Sequence, residues 1–229
     1  MTRRTAIPLL LALACLCAPP GARAQAAPRL RPSDVPARGA RAADFVPRGW
    51  REAARVTGDL DRDGRPDTVL HLVAADTPDD PLYTSAPEGH ALVVLLARAD
   101  GSLRRGGVAP ELLETGAPQY GLELEIRNGV LVAGQSYGMT WVVNMTHRFR
   151  HDPASSRFLL IGRDQYTYTR PLNHDDTVLV SENYLTGVRL TTTGHVRDGI
   201  VARESTRREA IPRARLFMED VSDNTSDDP

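Results

Sequence analysis

The chain has 229 residues, of which 41% are hydrophobic, so it is long enough to bury a large core in one or at most two domains. Its 28 Lys and Arg residues nearly balance its 29 Asp and Glu residues, and the formal charge of -1 argues against a general attraction to nucleic acid or acidic membranes.

The first 24 residues have the pattern of a bacterial export signal. Two arginines precede an apolar segment that is too short to span a bilayer, and Ala22-Arg23-Ala24 matches the small-x-small cleavage pattern. We therefore expect a periplasmic or secreted mature chain that starts at Gln25 and has no transmembrane segment. Both cysteines lie in the signal, so we expect no disulfide in the mature chain. A lipid anchor at Cys15 is the alternative, although the residues before it form a poor acylation box.

Composition divides the rest of the chain into three parts. Residues 25–43 are rich in Pro, Ala and Arg with almost no large apolar side chain, which predicts a flexible linker because such a segment buries too little surface to offset its ordering entropy. The acidic residues 219–229 predict a disordered tail. Residues 44–218 between them form the single predicted domain.

The predicted domain has the periodicity of β-strands. Apolar and polar residues alternate from Trp141 to Phe149, and several other short runs between turn signals behave alike. Asn128-Gly129 stands between two apolar runs and predicts a tight hairpin. Residues 109–116 and 207–217 are each compatible with a turn or two of helix. We therefore expect an all-β antiparallel domain, either sandwich-like or a partly closed barrel, with few short helices.

An acidic nine-residue stretch precedes one of these strands and has the spacing of a cation-binding loop. Gly64 at its sixth position permits the sharp bend that lets such a loop close. Calcium prefers six to eight oxygen ligands, and alternate residues of a curved backbone turn their oxygens inward. The predicted ligands stand at positions 1, 3, 5, 7 and 9: Asp59, Asp61, Asp63, Arg65 through its carbonyl, and Asp67.

This D-x-D-x-D-G-x-x-D stretch resembles the calcium loop of FG-GAP and VCBS-type repeats, which joins two strands of a hairpin. It differs from an EF-hand loop because Leu70 replaces the twelfth-position glutamate and the following residues are strand-like. The resemblance implies bound calcium. A propeller needs several such repeats and the sequence has one copy, so we do not expect a propeller. The alternative is an acidic hairpin turn that is merely solvated.

Catalytic and zinc sites are weaker hypotheses. Residues 134–138 fit the G-x-S-x-G pattern of a hydrolase nucleophile elbow around Ser136, but that elbow needs a following helix, and the sequence after it alternates like a strand. His147 and His151 are four residues apart, which on a strand is too far to hold one zinc ion. His71 is interpreted as a hydrogen-bonded histidine of the sheet.

The second half of the chain contains Tyr137, Trp141, Tyr166, Tyr168 and Tyr184. The preference of strands for aromatic side chains explains them. The alternative is a face that stacks on sugar rings or covers a protein partner. Nucleic acid is disfavoured because the chain contains no lysine and its arginine clusters are short.

Together these features predict an exported, non-enzymatic calcium-binding β domain. We expect it to be an envelope or secreted binding module for a protein or carbohydrate ligand. A cell-envelope hydrolase or an enzyme inhibitor is the alternative.

Overall fold

The computed structural model describes residues 28–75, 89–114, 119–172, 176–213 and 215–222, so the predicted signal lies outside the described residues. Within these ranges the chain is all-β, as predicted. Its twelve strands are β1 (Arg38–Gly39), β2 (Trp50–Gly58), β3 (Asp67–Ala74), β4 (His90–Ala97), β5 (Leu103–Ala109), β6 (Gln119–Arg127), β7 (Val130–Gly138), β8 (Trp141–Asp152), β9 (Arg157–Thr169), β10 (Thr177–Asn183), β11 (Val188–Arg197) and β12 (Ile200–Ala210). Short 3₁₀ helices cover Pro32–Asp34, Ala42–Phe45 and Met218–Asp220. None of the helices in the described ranges has the length and apolar character needed to cross a membrane.

Two antiparallel sheets pack against each other, which is the sandwich-like form of the prediction. The five-stranded sheet has the order β1-β5-β4-β3-β2, and the seven-stranded sheet has the order β12-β11-β10-β9-β8-β7-β6. The core between them contains Val69 and Leu92 from the smaller sheet and Leu131, Phe149 and Leu160 from the larger one. Burial of these side chains is the main source of stability, at about 1.5 to 3 kcal/mol for each large side chain.

The predicted flexible linker is wrong for residues 28–43. Strands β3 and β4 read as continuous apolar runs because both of their faces are buried. Their outer face packs against the N-terminal segment, where Leu30 is 0% exposed and Val35 is 1% exposed. The segment contains few apolar residues, but these few cover the second face of the sheet.

The predicted C-terminal tail also begins too early. Met218 is fully buried, and Val221 is only 8% exposed. Arg157 forms ion pairs with Glu219 and Asp220 at 3.3 and 3.0 Å. These contacts fix the chain against β9 as far as residue 222, and residues 223–229 lie outside the described residues.

Local predictions of turns and helices had different outcomes. The Asn128-Gly129 hairpin is confirmed, because the two residues connect β6 and β7 with φ values of 53° and 75°. Neither proposed helix forms in the described residues of 109–116 and 207–217. Residues 207–210 continue β12, where Glu209 lies opposite Arg189 of β11.

Candidate functional site

The acidic loop connects two antiparallel strands, as expected. The last paired residues are Gly58 at the end of β2 and Asp67 at the start of β3, so residues 59–66 form the connection. Asp59, Asp61 and Asp67 each place a carboxylate oxygen within 4.8 Å of the others. The structure therefore brings together three of the four carboxylates that the sequence predicted to converge.

Backbone hydrogen bonds inside the loop turn these carboxylates inward. The Asp59 carboxylate accepts hydrogen bonds from the backbone N–H groups of Asp63 and Gly64, at 3.2 and 3.0 Å. Asp61 accepts one from the same Asp63 N–H at 3.3 Å. Arg62 and Gly64 adopt φ values of 64° and 82°, which bend the chain sharply enough to close the loop.

Asp67 is the most constrained of the three, because its side chain is fully buried. One of its oxygens accepts a 2.8 Å hydrogen bond from the backbone N–H of Leu60, and the other accepts a 2.8 Å bond from Ala97 at the end of β4. Burial raises the pKa of Asp67, and the nearby charge of Asp61 raises it further, although the backbone donors oppose this. The ionised form of Asp67 is therefore costly in this position unless a positive charge lies close by.

Asp63 lies outside the converging group. Its carboxylate accepts a 2.9 Å hydrogen bond from the Arg65 backbone N–H and pairs with the Arg65 guanidinium. The Arg65 side chain also donates to the backbone carbonyl of Ala97 at 3.4 Å. Arg65 was predicted to act only through its carbonyl, but in the structure its side chain pairs with Asp63 and reaches the end of β4.

The loop packs against the β6–β7 turn of the other sheet. Arg62 donates a 3.2 Å hydrogen bond to the carbonyl of Asn128, and a Cβ added to Gly129 would lie 3.0 Å from the Arg62 side chain. Leu60 enters the core between the sheets. Two clefts flank the loop, one of about 500 Å³ beside Asp59 and one of about 260 Å³ beside Asp61. Asp59 and Asp61 therefore each border a cleft, whereas Asp67 borders neither of these two.

The hydrolase elbow is absent at Ser136. This residue lies within β7 and pairs across the sheet with Asn144, and its hydroxyl donates a 2.6 Å hydrogen bond to the Asn144 side chain. A hydrolase would also need a histidine and an acidic residue downstream of Ser136. Asp164 instead binds Arg148 and Ser181, and His195 pairs with Asp176 at 2.8 Å. The other such residues, at positions 174 and 175, lie outside the described residues.

The histidines make structural contacts. His71 and His90 stack with their ring centroids 5.2 Å apart, and their nitrogens lie 3.0 Å from each other. Burial lowers the pKa of His71 to about 3 and that of His147 to about 3. His151 packs on the Phe158 ring. In the described part of the chain, no histidine joins a group with metal-ligand geometry.

The five predicted aromatic residues do not share one surface. Tyr166 and Tyr168 stack on one face of β9, with ring centroids 5.5 Å apart. Tyr137 and Trp141 lie opposite Val143 and Thr169, which places them on the other face of the sheet. Tyr184 packs against the core, and its hydroxyl donates to Glu182 at 2.7 Å.

One buried polar cluster was not identified from the sequence. The Glu182 side chain is 2% exposed and accepts hydrogen bonds from Arg163 at 2.9 Å and Arg189 at 2.6 Å. Burial alone would raise the pKa of Glu182, but Tyr184 and the two arginines outweigh it and leave the pKa below its ordinary value. The three charged residues lie opposite one another on neighbouring strands, a relation that requires the strand order to be known.

No family model, curated protein or solved structure matches the chain.

Proposed function

We propose that residues 59–67 bind one calcium ion and that the chain is an exported, non-enzymatic β domain that works as a binding module in the envelope or outside the cell. The observation that carries the calcium proposal is the convergence of Asp59, Asp61 and Asp67 within 4.8 Å, with Asp67 fully buried. The proposal of export rests on the pattern of the first 24 residues.

The spacing of these oxygens suits calcium. Calcium–oxygen distances are about 2.3 to 2.6 Å, so oxygens on opposite sides of one ion lie roughly 4.6 to 5.2 Å apart. The three carboxylates fall within that limit. The donors are all oxygens, which favours calcium over zinc, whose protein sites are built mainly from histidine and cysteine. Asp63 and the carbonyl of Arg65 complete the proposed ligand set, which requires Asp63 to exchange its guanidinium partner for the ion.

A bound cation would also relieve an electrostatic cost in the loop. Three carboxylates at this separation repel one another, and the most buried of them has the least access to water. Because the loop ties β2 and β3 to the end of β4 and to the β6–β7 turn, an ion there would stabilise contacts between both sheets. We therefore assign the ion a structural role.

The test is thermal unfolding of residues 25–229 with calcium and with a chelator. At ten to one hundred times the dissociation constant, bound calcium stabilises by about 1.4 to 2.7 kcal/mol. For a domain of this size the midpoint should rise by roughly 3 to 10 °C. Asp61→Asn and Asp63→Ala should each remove most of that rise.

Asp100→Asn is the matched control. Asp100 also lies in a β-turn and accepts a 3.0 Å hydrogen bond from a backbone N–H, but it belongs to the β4–β5 connection. It should leave the calcium-dependent rise unchanged. Equal midpoints with calcium and chelator for the unmodified chain would mean that the loop is a solvated acidic turn.

A further inference from the structure

The outer face of the seven-stranded sheet carries a polar groove that has no role in the site described above. Leu131, Ala133, Met145 and Phe149 point into the core, so the residues that alternate with them point outward. The outer groove has a volume of about 340 Å³, within the range of small-molecule sites, and its main outward-facing residues are Glu123, Gly134, Ser136, Asn144 and Thr146.

An aromatic platform continues this groove across the sheet. Asn144 lies directly opposite Ser136 on one side and Tyr166 on the other, and Tyr166 lies opposite Leu179. From Ser136 to Tyr166 this row spans about 10 Å on the usual spacing between strands. Tyr166 and Tyr168 stack on each other with ring planes that differ by 28°, so each ring keeps one face that the other does not cover. The row is therefore longer than a single sugar ring and has a polar end and an aromatic end.

Gly134 forms part of the floor of the groove, and because glycine has no side chain the space above it stays open. A Cβ at this position would lie 3.7 Å from Glu123 and 3.8 Å from the Thr146 hydroxyl, which is ordinary contact distance. A larger side chain would thus fit the strand but occupy the groove. Gly134→Val can therefore block the groove without removing any polar group that lines it.

The polar groups of the groove match the hydroxyls of a sugar. The Ser136 hydroxyl donates a 2.6 Å hydrogen bond to the side-chain oxygen (Oδ1) of Asn144. The side-chain nitrogen (Nδ2) of Asn144 is then a donor with no partner among the described residues. The exposed carboxylate of Glu123 is an acceptor beside it. Neighbouring hydroxyls of a sugar both donate and accept, and the apolar face of its ring can lie on the aromatic platform.

Charge distinguishes between the candidate occupants. Glu123 and Glu125 lie exposed on this face, no arginine lines the outer groove, and the nearby Arg148 is paired with Asp164. This arrangement disfavours anionic polysaccharides and nucleic acids. A protein partner would require apolar anchors at the centre, whereas the exposed leucines of this face, Leu179 and Leu190, lie beyond the platform.

We propose that the outer groove and the Tyr166–Tyr168 platform bind a neutral oligosaccharide of pyranose rings. This inference names a ligand class for the proposed binding module. It does not require the calcium loop, because the groove lies about 17 Å along β7 from the turn that the loop contacts.

The test is isothermal titration of the mature chain with cellohexaose, chitohexaose, maltohexaose and mannohexaose at millimolar concentration, with oligogalacturonate as the anionic comparison. At least one neutral sugar should bind. Gly134→Val and Tyr166→Ala should each weaken that binding about tenfold or more, since tenfold corresponds to about 1.4 kcal/mol. Ile200→Ala, which changes an exposed residue of the edge strand β12, should leave binding unchanged.

Gly134→Val and Tyr166→Ala should have the melting temperature and the circular dichroism spectrum of the unmodified chain. If Gly134→Val does not fold, Tyr166→Ala alone tests the proposal. The proposal is overturned if no neutral sugar binds, if only oligogalacturonate binds, or if binding survives both substitutions. Repeating the titration with a chelator and with Asp61→Asn separates the two proposals. If a sugar binds but calcium does not raise the melting temperature, only the calcium proposal is contradicted. If calcium raises the melting temperature but no neutral sugar binds, only the groove proposal is contradicted.

Discussion

Replacing Asp67 tests whether this buried carboxylate holds the loop even without an ion. Asp67→Ala removes the acceptor for two backbone N–H groups, those of Leu60 and Ala97, each at 2.8 Å. Hydrogen bonds to charged groups contribute about 1.5 to 3 kcal/mol each, so the gross loss is about 3 to 6 kcal/mol. Burial raises the pKa of Asp67 and makes its ionised form costly, so removing the carboxylate recovers part of this loss. We expect a net loss of about 2 to 4 kcal/mol in a chelator.

The assay is urea unfolding of Asp67→Ala and of Asp100→Ala, both in a chelator. Asp100 likewise accepts a hydrogen bond from a backbone N–H, but its side chain is 67% exposed, so Asp100→Ala should lower the free energy of unfolding far less than Asp67→Ala does. Calcium should then stabilise the Asp100 variant and not the Asp67 variant. A cost below about 1 kcal/mol for Asp67→Ala would refute the claim that its two hydrogen bonds fix the loop to β4.

Three further predictions concern the turn that the acidic loop contacts and two buried polar groups of the seven-stranded sheet. Gly129→Ala and Gly101→Ala both place alanine at positive φ, 75° and 80°. Of the two, the new Cβ comes within 4 Å of another group at position 129 and not at position 101. Urea unfolding should therefore show that Gly129→Ala lowers the free energy of unfolding by about 0.5 to 1 kcal/mol more than Gly101→Ala does. Burial lowers the pKa of His147 to about 3, so below about pH 6.5 the unfolded chain takes up a proton that the folded chain does not. The free energy of unfolding should therefore fall as the pH drops from about 7 to about 5. His147→Gln should remove about 2 kcal/mol of this fall, measured by urea unfolding at the two pH values. Glu182→Gln should lower the free energy of unfolding by about 1 to 2 kcal/mol in urea, because Arg163 and Arg189 lose a charged hydrogen-bond partner but remain 27% and 41% exposed to water.

The acidic loop was predictable because its geometry is local. Asp59 and Asp61 both accept a hydrogen bond from the Asp63 N–H of the same tight bend, so their convergence depends only on residues close in sequence. The hydrogen bond from Ala97 to Asp67 was not predictable, since it joins residues 30 positions apart and depends on β4 lying next to β3. The Arg65–Asp63 pair was missed because both residues had been considered only as ligands.

The error over residues 28–43 has a physical cause that the sequence partly displays. Composition alone correctly showed that this segment cannot form a core of its own. Strands β3 and β4, however, are apolar on both faces, so the sheet requires a cover that the other sheet supplies on one side only. Leu30 and Val35 form part of that cover, and the continuous apolar runs were the signal for it.

The positions of the aromatic residues depend partly on strand period and partly on strand register. Tyr166 and Tyr168 are two residues apart on one strand, so they share a face and stack. Tyr137 lies opposite Val143, and Val143 lies opposite Thr167, so it falls on the other face from Tyr166. Sequence spacing fixes the first relation, whereas the second follows only from the pairing of β7, β8 and β9.

Calorimetric titration of calcium into the metal-free protein is the decisive measurement. We expect one ion per chain, bound with a dissociation constant of about 0.1 to 1 mM, and no comparable binding after Asp59→Ala or Asp61→Asn. Absence of binding at millimolar calcium, or binding that persists in both variants, would contradict the proposal that this loop is a calcium site.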